Sequence, residues 1–321
     1  MTLKKYAVCA VMILSVFSLS ACSNSSEVNK SAEQSAGPVS ESSEESFKPE
    51  NIAESALKKT IEMKSYRADM DISFDYSGEG EKSKTSNEIK TEILSVTSPV
   101  FKHIIVTPFL NGEKYDITDI YVDENESGGK TIYSNYADNW YRYGTDDAGL
   151  YLTVGQYDIR EFLNVLLTSL SDINVGGIED INGTKAYRVE AVVPKDKVAG
   201  FVIDTGIFAV VNITNLYENY FDKVQEIPVV FYVNSETGNV VSVSFDAQNA
   251  LQAISDFAYE SVEGTKGYED KKRLVADKYE VKINVYDIDN VSKTEIPAEA
   301  LNGTKLDDII ANPTENSGTA E

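Results

Sequence analysis

The fold is decided by the stretch YRADMDISFDY, residues 66–76. Apolar or aromatic side chains occupy every second position from Tyr66 to Tyr76, and the positions between them are polar or charged. Alternation with a period of two over this length is typical of a β-strand with one buried face and one solvated face. The sequence therefore predicts a long strand of an antiparallel sheet.

Further strands and helices are predicted on both sides of this stretch. Before it, Asn51 and Glu54 form a capping pair, and apolar residues at helical spacing predict an opening helix. After it, turn signals separate strands at about 88–97, 100–106, 115–122, 130–134 and 139–143. An amphipathic helix is predicted from Asp158, with its apolar side continuing to Ile173.

The second half of the chain contains two predicted hairpins and a closing strand. Asn182-Gly183 suits a tight hairpin turn, and a second hairpin turns at 234–239. A helical connection follows, and the last strand alternates from Tyr279 to Val285. The chain as a whole therefore predicts a meander of antiparallel hairpins interrupted by helices.

An apolar insert separates the two hairpins. Residues 198–211 are nearly all apolar, Asp204 is their one charged residue, and the segment is too short to span a bilayer. Two interpretations follow from this composition. The insert is either a core segment that fills the curved sheet, or a lid that moves on Gly200 and Gly206 and touches the membrane.

The first 22 residues predict a lipoprotein signal. Lys4 and Lys5 precede an uncharged apolar stretch, and Leu19-Ser20-Ala21-Cys22 ends it with small residues before a cysteine. This pattern predicts cleavage before Cys22 and attachment of diacylglycerol to its thiol. The mature chain would then be anchored on the extracytoplasmic face of the cell membrane. The alternative is an ordinary secretory signal that happens to be followed by a cysteine.

Four segments are predicted along the chain. Residues 1–21 form the signal peptide, and residues 22–50 form the lipidated cysteine and a disordered tether rich in Ser and Glu. Residues 51–301 form one folded domain, and residues 302–321 form a flexible tail. The tether lifts the domain away from the lipid headgroups.

Charge and cysteine content exclude several classes of function. The net charge is -23, and removal of the signal takes away Lys4 and Lys5 and leaves -25. Such a chain is repelled by phosphate, which predicts no nucleic-acid binding and no attachment to anionic lipids by charge alone. Cys9 leaves with the signal and Cys22 is acylated, so no disulfide and no thiol nucleophile is expected in the mature chain.

Three motifs that suggest chemistry are incomplete. Ser55-Ala56-Leu57-Lys58 matches the Ser-x-x-Lys pattern of penicillin-interacting enzymes, but the accompanying Lys-Thr-Gly and Ser-Asp-Asn motifs are missing. Asp123 and Asn125 fit the start of a calcium loop, but Ser134 stands where a bidentate Glu is needed. The one histidine, His103, cannot make a two-histidine zinc site. We therefore predict no enzyme, no metal and no cofactor.

The layout of the chain carries a likeness to a known family. Its elements are the lipobox, the polar tether, the helix leading into strand 66–76, the Asn139-Trp140-Tyr141 hairpin, the 182–187 hairpin and the turn after Phe231. Over about residues 51–301 this layout resembles the LolA/LppX-like lipoproteins of Gram-positive bacteria. The resemblance implies an α+β fold in which a strongly curved antiparallel sheet, an unclosed half-barrel, wraps around helices. It also implies an apolar cavity that holds acyl chains.

This resemblance yields the leading functional hypothesis. The protein binds or carries a hydrophobic ligand, such as a lipid or a lipid-linked envelope precursor, in a cavity lined by Phe162, Leu166, Phe201, Phe208 and Phe231. The alternative is a scaffold lipoprotein with a solid core whose acidic face binds another envelope protein. An envelope hydrolase ranks last because no nucleophile and base pair is recognisable.

Overall fold

The computed structural model describes residues 51–136, 138–266 and 272–306. The signal peptide, Cys22, the tether and most of the C-terminal tail lie outside these residues. What the sequence predicts for them therefore stays a prediction.

The described residues contain thirteen strands and six α-helices. The strands are β1 (Ser65–Gly78), β2 (Lys84–Thr97), β3 (Val100–Leu110), β4 (Glu113–Lys114), β5 (Thr118–Glu124), β6 (Lys130–Tyr136), β7 (Asn139–Thr145), β8 (Ser171–Ile181), β9 (Thr184–Pro194), β10 (Glu226–Asn234), β11 (Val240–Asp246), β12 (Leu274–Tyr286) and β13 (Thr304–Lys305). The helices are α1 (Ile52–Glu62), α2 (Asp147–Val154), α3 (Ile159–Ser169), α4 (Lys195–Thr205), α5 (Gln248–Val262) and α6 (Ala298–Leu301).

All strands belong to one sheet made of two meanders. The order across the sheet is β13-β7-β6-β5-β3-β2-β1-β12-β11-β10-β9-β8, with the short β4 beside β3. The N-terminal meander therefore begins at β1, the C-terminal meander ends at β12, and the β1–β12 pair joins them. The curved sheet does not close on itself, so the predicted α+β half-barrel is confirmed. One short parallel pair, β7 with β13, departs from the antiparallel pattern.

The alternation of residues 66–76 sets the two faces of the sheet. Ala68, Met70 and Ile72 stand opposite Val285, Ile283 and Val281 of β12, and all six are 3% exposed or less. We call the face that carries them the inner face, and the opposite one the outer face. Because β1 lies in the middle of the sheet, its inner face has a neighbour on each side. The partners on β12 are apolar, whereas on β2 Ile93 and Ile89 alternate with the polar Thr91.

One predicted capping contact and one predicted helix end are wrong. Asn51 makes no side-chain capping hydrogen bond, because its backbone (φ -115°, ψ 28°) lies outside the extended region that positions a capping side chain. The helix that begins after Asp158 ends at Ser169, because Leu170 is extended (φ -68°, ψ 150°) and leads into β8. Ile173 therefore lies on β8, where it is exposed.

The outer face is not solvated along its whole length. Leu94, Phe101 and Tyr121 form a small buried cluster there, and Trp140 and Ile296 pack against it. Ile296 belongs to the segment after β12, which reaches the edge strand β7 as β13. Part of the outer face of the N-terminal meander is thus covered as well.

A partly buried ion pair fixes α3 to the inner face. The Nζ of Lys102 lies 2.7 Å from Oδ2 of Asp158, and the other carboxylate oxygen accepts a hydrogen bond from the backbone N–H of Glu161 at 3.1 Å. The hydroxyl of Tyr66 accepts a hydrogen bond from the N–H of Ile159 at 3.1 Å. Burial raises the pKa of Asp158, but the Lys102 ammonium and the hydrogen bonds outweigh it and hold the pKa below its usual value. Asp158 therefore both caps α3 and ties it to β3.

Replacing Lys102 by Met should lower the free energy of unfolding by on the order of 2 kcal/mol at neutral pH, because Asp158 loses its partner. A lowered folded-state pKa means that the contribution of Asp158 is present above about pH 4 and is lost as the pH falls through the folded value. Lys102→Met should therefore also weaken the acid dependence of stability in urea unfolding between neutral and acidic pH. The control is Lys90→Met on the exposed outer face, and equal stabilities of the two variants would contradict this role for Lys102.

Candidate functional site

The inner face of the C-terminal meander is covered by the apolar insert. Residues 195–211, which we call the plug, comprise α4 and the turns that follow it, and α4 contacts β9 and β10. Its buried apolar side chains are Val198, Phe201, Val202, Ile207, Phe208, Val210 and Val211. Of the two interpretations of the insert, the structure supports the segment that fills the sheet.

The tip of the plug is fixed on β12. Gly206 ends α4 in the left-handed region (φ 63°), and a Cβ at this position would lie 3.2 Å from Cβ of Gln156. The next residue, Ile207, accepts a hydrogen bond through its carbonyl oxygen from the hydroxyl of Tyr279 at 2.7 Å. The ring of Phe208 lies on the ring of Tyr279, with 4.5 Å between the centroids. One buried tyrosine therefore holds both residues of the tip.

The five residues predicted to line a cavity are all buried. Their exposed fractions are 3% or less for Phe162, Leu166, Phe201, Phe208 and Phe231. Phe162 and Phe201 have their ring centroids 6.2 Å apart, and both rings contact Phe245 of β11. Phe208 lies apart from them on Tyr279. The structure thus places them in an interior made by α3, the plug and the sheet, and their contact with a ligand stays a prediction.

Two open grooves border this interior, and polar side chains predominate in both. One has a volume of about 400 Å³, lies between α3 and α4, and is lined by Asn164, Asp204 and Phe201 among others. The other, of about 500 Å³, lies between α5 and β10, and its lining includes Gln252 and Asp256. Such linings suit water and polar groups better than an acyl chain.

A half-buried apolar strip lies on the inner face of β1, β2 and β3. The strand register places six apolar side chains there, and each is partly exposed: Phe74, Tyr76, Ile89, Val106, Pro108 and Leu110. We call this surface the inner strip. From Tyr76 to the row of Val106 it extends about 20 Å along the strands. Alternation in the sequence predicts which side chains face inward, but it does not show which of them the helices leave uncovered.

The inner strip begins where the plug ends. The ring centroid of Phe74 lies 5.9 Å from that of Tyr279. The ring of Tyr279 also contacts the ring of Phe208 in the plug. Two side chains of β2 on the same inner face bring polar atoms into this region, Asn87 opposite Phe74 and Thr91 opposite Met70. The strip is therefore an apolar surface with two polar positions and one wall formed by the plug.

The residues of the incomplete motifs lie in surface, turn and sheet positions. Lys58 is exposed on α1. Asn125 lies at the tip of the β5–β6 hairpin, where its Oδ1 accepts hydrogen bonds from the N–H groups of Ser127 and Gly129 at 2.9 and 3.0 Å. His103 lies on β3, where its ring stacks on Tyr121 and its Nε2 lies 2.9 Å from Asp119. Asn125 and His103 thus act in a turn and a sheet contact.

The described ranges contain neither a candidate metal cluster nor a candidate membrane-spanning helix. Within residues 51–136, 138–266 and 272–306, no group of three His, Cys, Asp or Glu side chains could hold a metal ion. Over the same part of the chain, no helix is both long enough and apolar enough to cross a membrane.

Comparison with known proteins finds likeness in structure. No family model matches the chain, and no curated protein matches its sequence. Among solved structures, lipoprotein LppX of Mycobacterium tuberculosis is 10% identical, with 78% of this chain and 100% of that chain covered at a TM-score of 0.40. LprF of Mycobacterium bovis is 11% identical, with 78% and 97% covered at a TM-score of 0.43.

A LolA superfamily protein of Nitrosomonas europaea is also similar, at 9% identity and a TM-score of 0.22, with 78% of this chain and 96% of that chain covered. The fold resembles that of the LolA/LppX-like lipoproteins. This agrees with the resemblance noted in the order of sequence elements, and at these identities it is a likeness of fold.

Replacing Phe208 by Ala should lower the free energy of unfolding by about 3–5 kcal/mol, because it leaves a cavity between the plug and Tyr279. Urea unfolding measures the change. The control is Leu152→Ala on α2, where the side chain is 80% exposed and the expected change is within about 0.5 kcal/mol. If Phe208→Ala were as mild as the control, the tip would not be a fixed part of the core.

Proposed function

We propose that this chain is a non-enzymatic, lipid-anchored extracytoplasmic protein whose half-barrel binds or carries a hydrophobic ligand, a lipid or a lipid-linked envelope precursor. The acyl part of the ligand lies on the inner strip, against the tip of the plug. The observation that supports this most directly is the inner strip itself, a run of six half-buried apolar side chains on the inner face of an otherwise filled half-barrel.

The energy available at the inner strip is sufficient for binding. Each methylene group removed from water contributes about 0.8 kcal/mol, so about ten methylenes contribute roughly 8 kcal/mol before the costs of association. A chain that lies along the strip also shields Phe74, Ile89 and Leu110 from water. An open strip that is apolar and about 20 Å long therefore gives an extended acyl chain a favourable place to lie.

The five predicted residues would form the deeper part of the same site. Phe208 is the nearest to the strip, because its ring and that of Phe74 both contact the ring of Tyr279. Phe162, Leu166, Phe201 and Phe231 would contact the ligand when α4 moves away from the sheet, with Gly206 as the residue that changes its backbone conformation. When no ligand is bound, the plug would occupy the space that the ligand fills.

The proposed location follows from the N-terminal sequence. Diacylglycerol on Cys22 would hold the chain on the outer side of the cell membrane, and residues 23–50 would span the distance to the domain. The net charge of -23 opposes adsorption of the domain onto anionic lipids. The anchor therefore supplies the membrane attachment.

A scaffold function is the second candidate, and one observation favours it. The five predicted lining residues lie in a filled interior, as expected for a solid core. The partner in this case would be another envelope protein, bound to the acidic outer face that carries Asp69, Asp71, Glu88 and Glu92. Lipid bound to the purified protein separates the two functions.

The domain expressed from residue 23 in bacteria should copurify with lipid, as measured by mass spectrometry of an organic extract. Leu110→Glu should reduce the recovered lipid roughly tenfold or more, because it brings a carboxylate into the inner strip. Phe109→Glu, one residue away on the outer face, is the matched control and should leave the lipid unchanged. A lipid-free wild-type domain would favour the scaffold.

Replacing Cys22 by Ala should release the protein from membranes, because the thiol that carries the diacylglycerol is gone. Fractionation of expressing cells into membrane and soluble fractions measures this, with Cys9→Ala in the signal as the control that stays membrane-bound. Retention of the Cys22→Ala chain on membranes would refute the anchor.

A further inference from the structure

Two polar atoms on the inner face of β2 are enclosed without a hydrogen-bond partner in the described structure. They are Nδ2 of Asn87 and Oγ1 of Thr91. Thr91 is 1% exposed, and its neighbours across the strands are Met70 and Val106. Asn87 stands between Phe74 and Leu110 of the inner strip. Both polar groups therefore lie among apolar side chains.

Enclosed polar groups of this kind are unusual in folded proteins. A buried donor that loses water and gains no partner destabilises the fold, and most such groups are satisfied. A valine at position 91 or a leucine at position 87 would fill the same space without this cost. Both orphaned groups are on the strand that forms the middle of the inner strip, which points to a partner that the protein itself does not supply.

The available hydrogen-bonding capacity defines the chemistry of that partner. The Nδ2 of Asn87 can only donate, and the hydroxyl of Thr91 can donate as well as accept. A ligand that satisfies both must therefore carry acceptor oxygens. A carboxylate is disfavoured, because an ionised group would have to enter an apolar surface of a chain with a net charge of -23. A neutral carbonyl oxygen meets both conditions.

We infer that the ligand of the inner strip is a neutral lipid with an ester or amide carbonyl, and that Asn87 donates a hydrogen bond to this carbonyl. Thr91 lies about 13 Å farther along β2, toward the buried part of the inner face and beyond the reach of that carbonyl, so its hydroxyl would need a second acceptor oxygen on the ligand. The acyl chain covers Ile89 between the two donors. This inference rests on the proposed function, and it adds the chemical class of the ligand and its orientation on the strip.

The inference is tested with the full chain, solubilised in detergent from membranes of expressing cells. Two photo-crosslinkable probes of equal chain length are compared, a fatty acid methyl ester and the corresponding alkane. The wild-type chain should be labelled by the ester at least about fivefold more efficiently than by the alkane, on a peptide within residues 84–110, because one added hydrogen bond changes an equilibrium by about that factor.

Variants of β2 identify the donors. Asn87→Leu should abolish the preference for the ester and keep the labelling by the alkane, and Thr91→Val should keep the preference, because the single carbonyl of the probe at Asn87 does not reach position 91. Glu88→Gln, on the outer face of the same strand, is the control that keeps the preference. In the absence of probe, the thermal midpoints of Asn87→Leu and Thr91→Val should equal or exceed that of the wild type, because an orphaned polar group is removed.

The outcomes separate this inference from the proposed function. Equal labelling of the strip by both probes would overturn the inference and leave acyl-chain binding intact. Labelling by neither probe would overturn both. A marked loss of thermal stability in Asn87→Leu would show that the amide has a structural partner, and that too would overturn the inference.

Discussion

The pairing of β1 with β12 is the contact on which the rest of the structure depends. Each strand terminates one meander, and their register brings the most regular apolar stretch of the sequence against the closing strand. Without this pair the two halves of the chain would be separate open sheets, each with an unprotected edge. With it, one sheet carries an inner face that is too large for the helices to cover completely.

The way in which this inner face is covered determines where a ligand can bind. On the C-terminal meander, α3 and the plug bury it, and Tyr279 fixes the tip of the plug. On the N-terminal meander, the Lys102–Asp158 pair holds the start of α3 near one end of the strands, and the other end of β1, β2 and β3 stays half-exposed. The inner strip is thus the part of the inner face that α3 and the plug leave uncovered. Its position follows from where these segments are attached to the sheet.

Much of this architecture could be predicted from local sequence patterns. Period-two alternation identified β1 and β12, and Asn182-Gly183 identified the turn between β8 and β9, because these signals depend on neighbouring residues. The end of α3 was misplaced because Ile173 continues the helical apolar pattern although the chain has already become extended at Leu170. The inner strip was not predicted, since the exposure of Phe74 or Leu110 depends on which distant segment covers it. The orphaned atoms of Asn87 and Thr91 were missed for the same reason, because a missing partner is a property of the folded chain.

A crystal structure of the domain as it is purified from cells, without delipidation, is the most direct test of lipid binding on the inner strip. We predict continuous density for an acyl chain along the inner faces of β1, β2 and β3, in contact with Phe74, Ile89 and Leu110 and lying against the tip of the plug. Bare strands at this position, or lipid density bound elsewhere on the molecule, would contradict it.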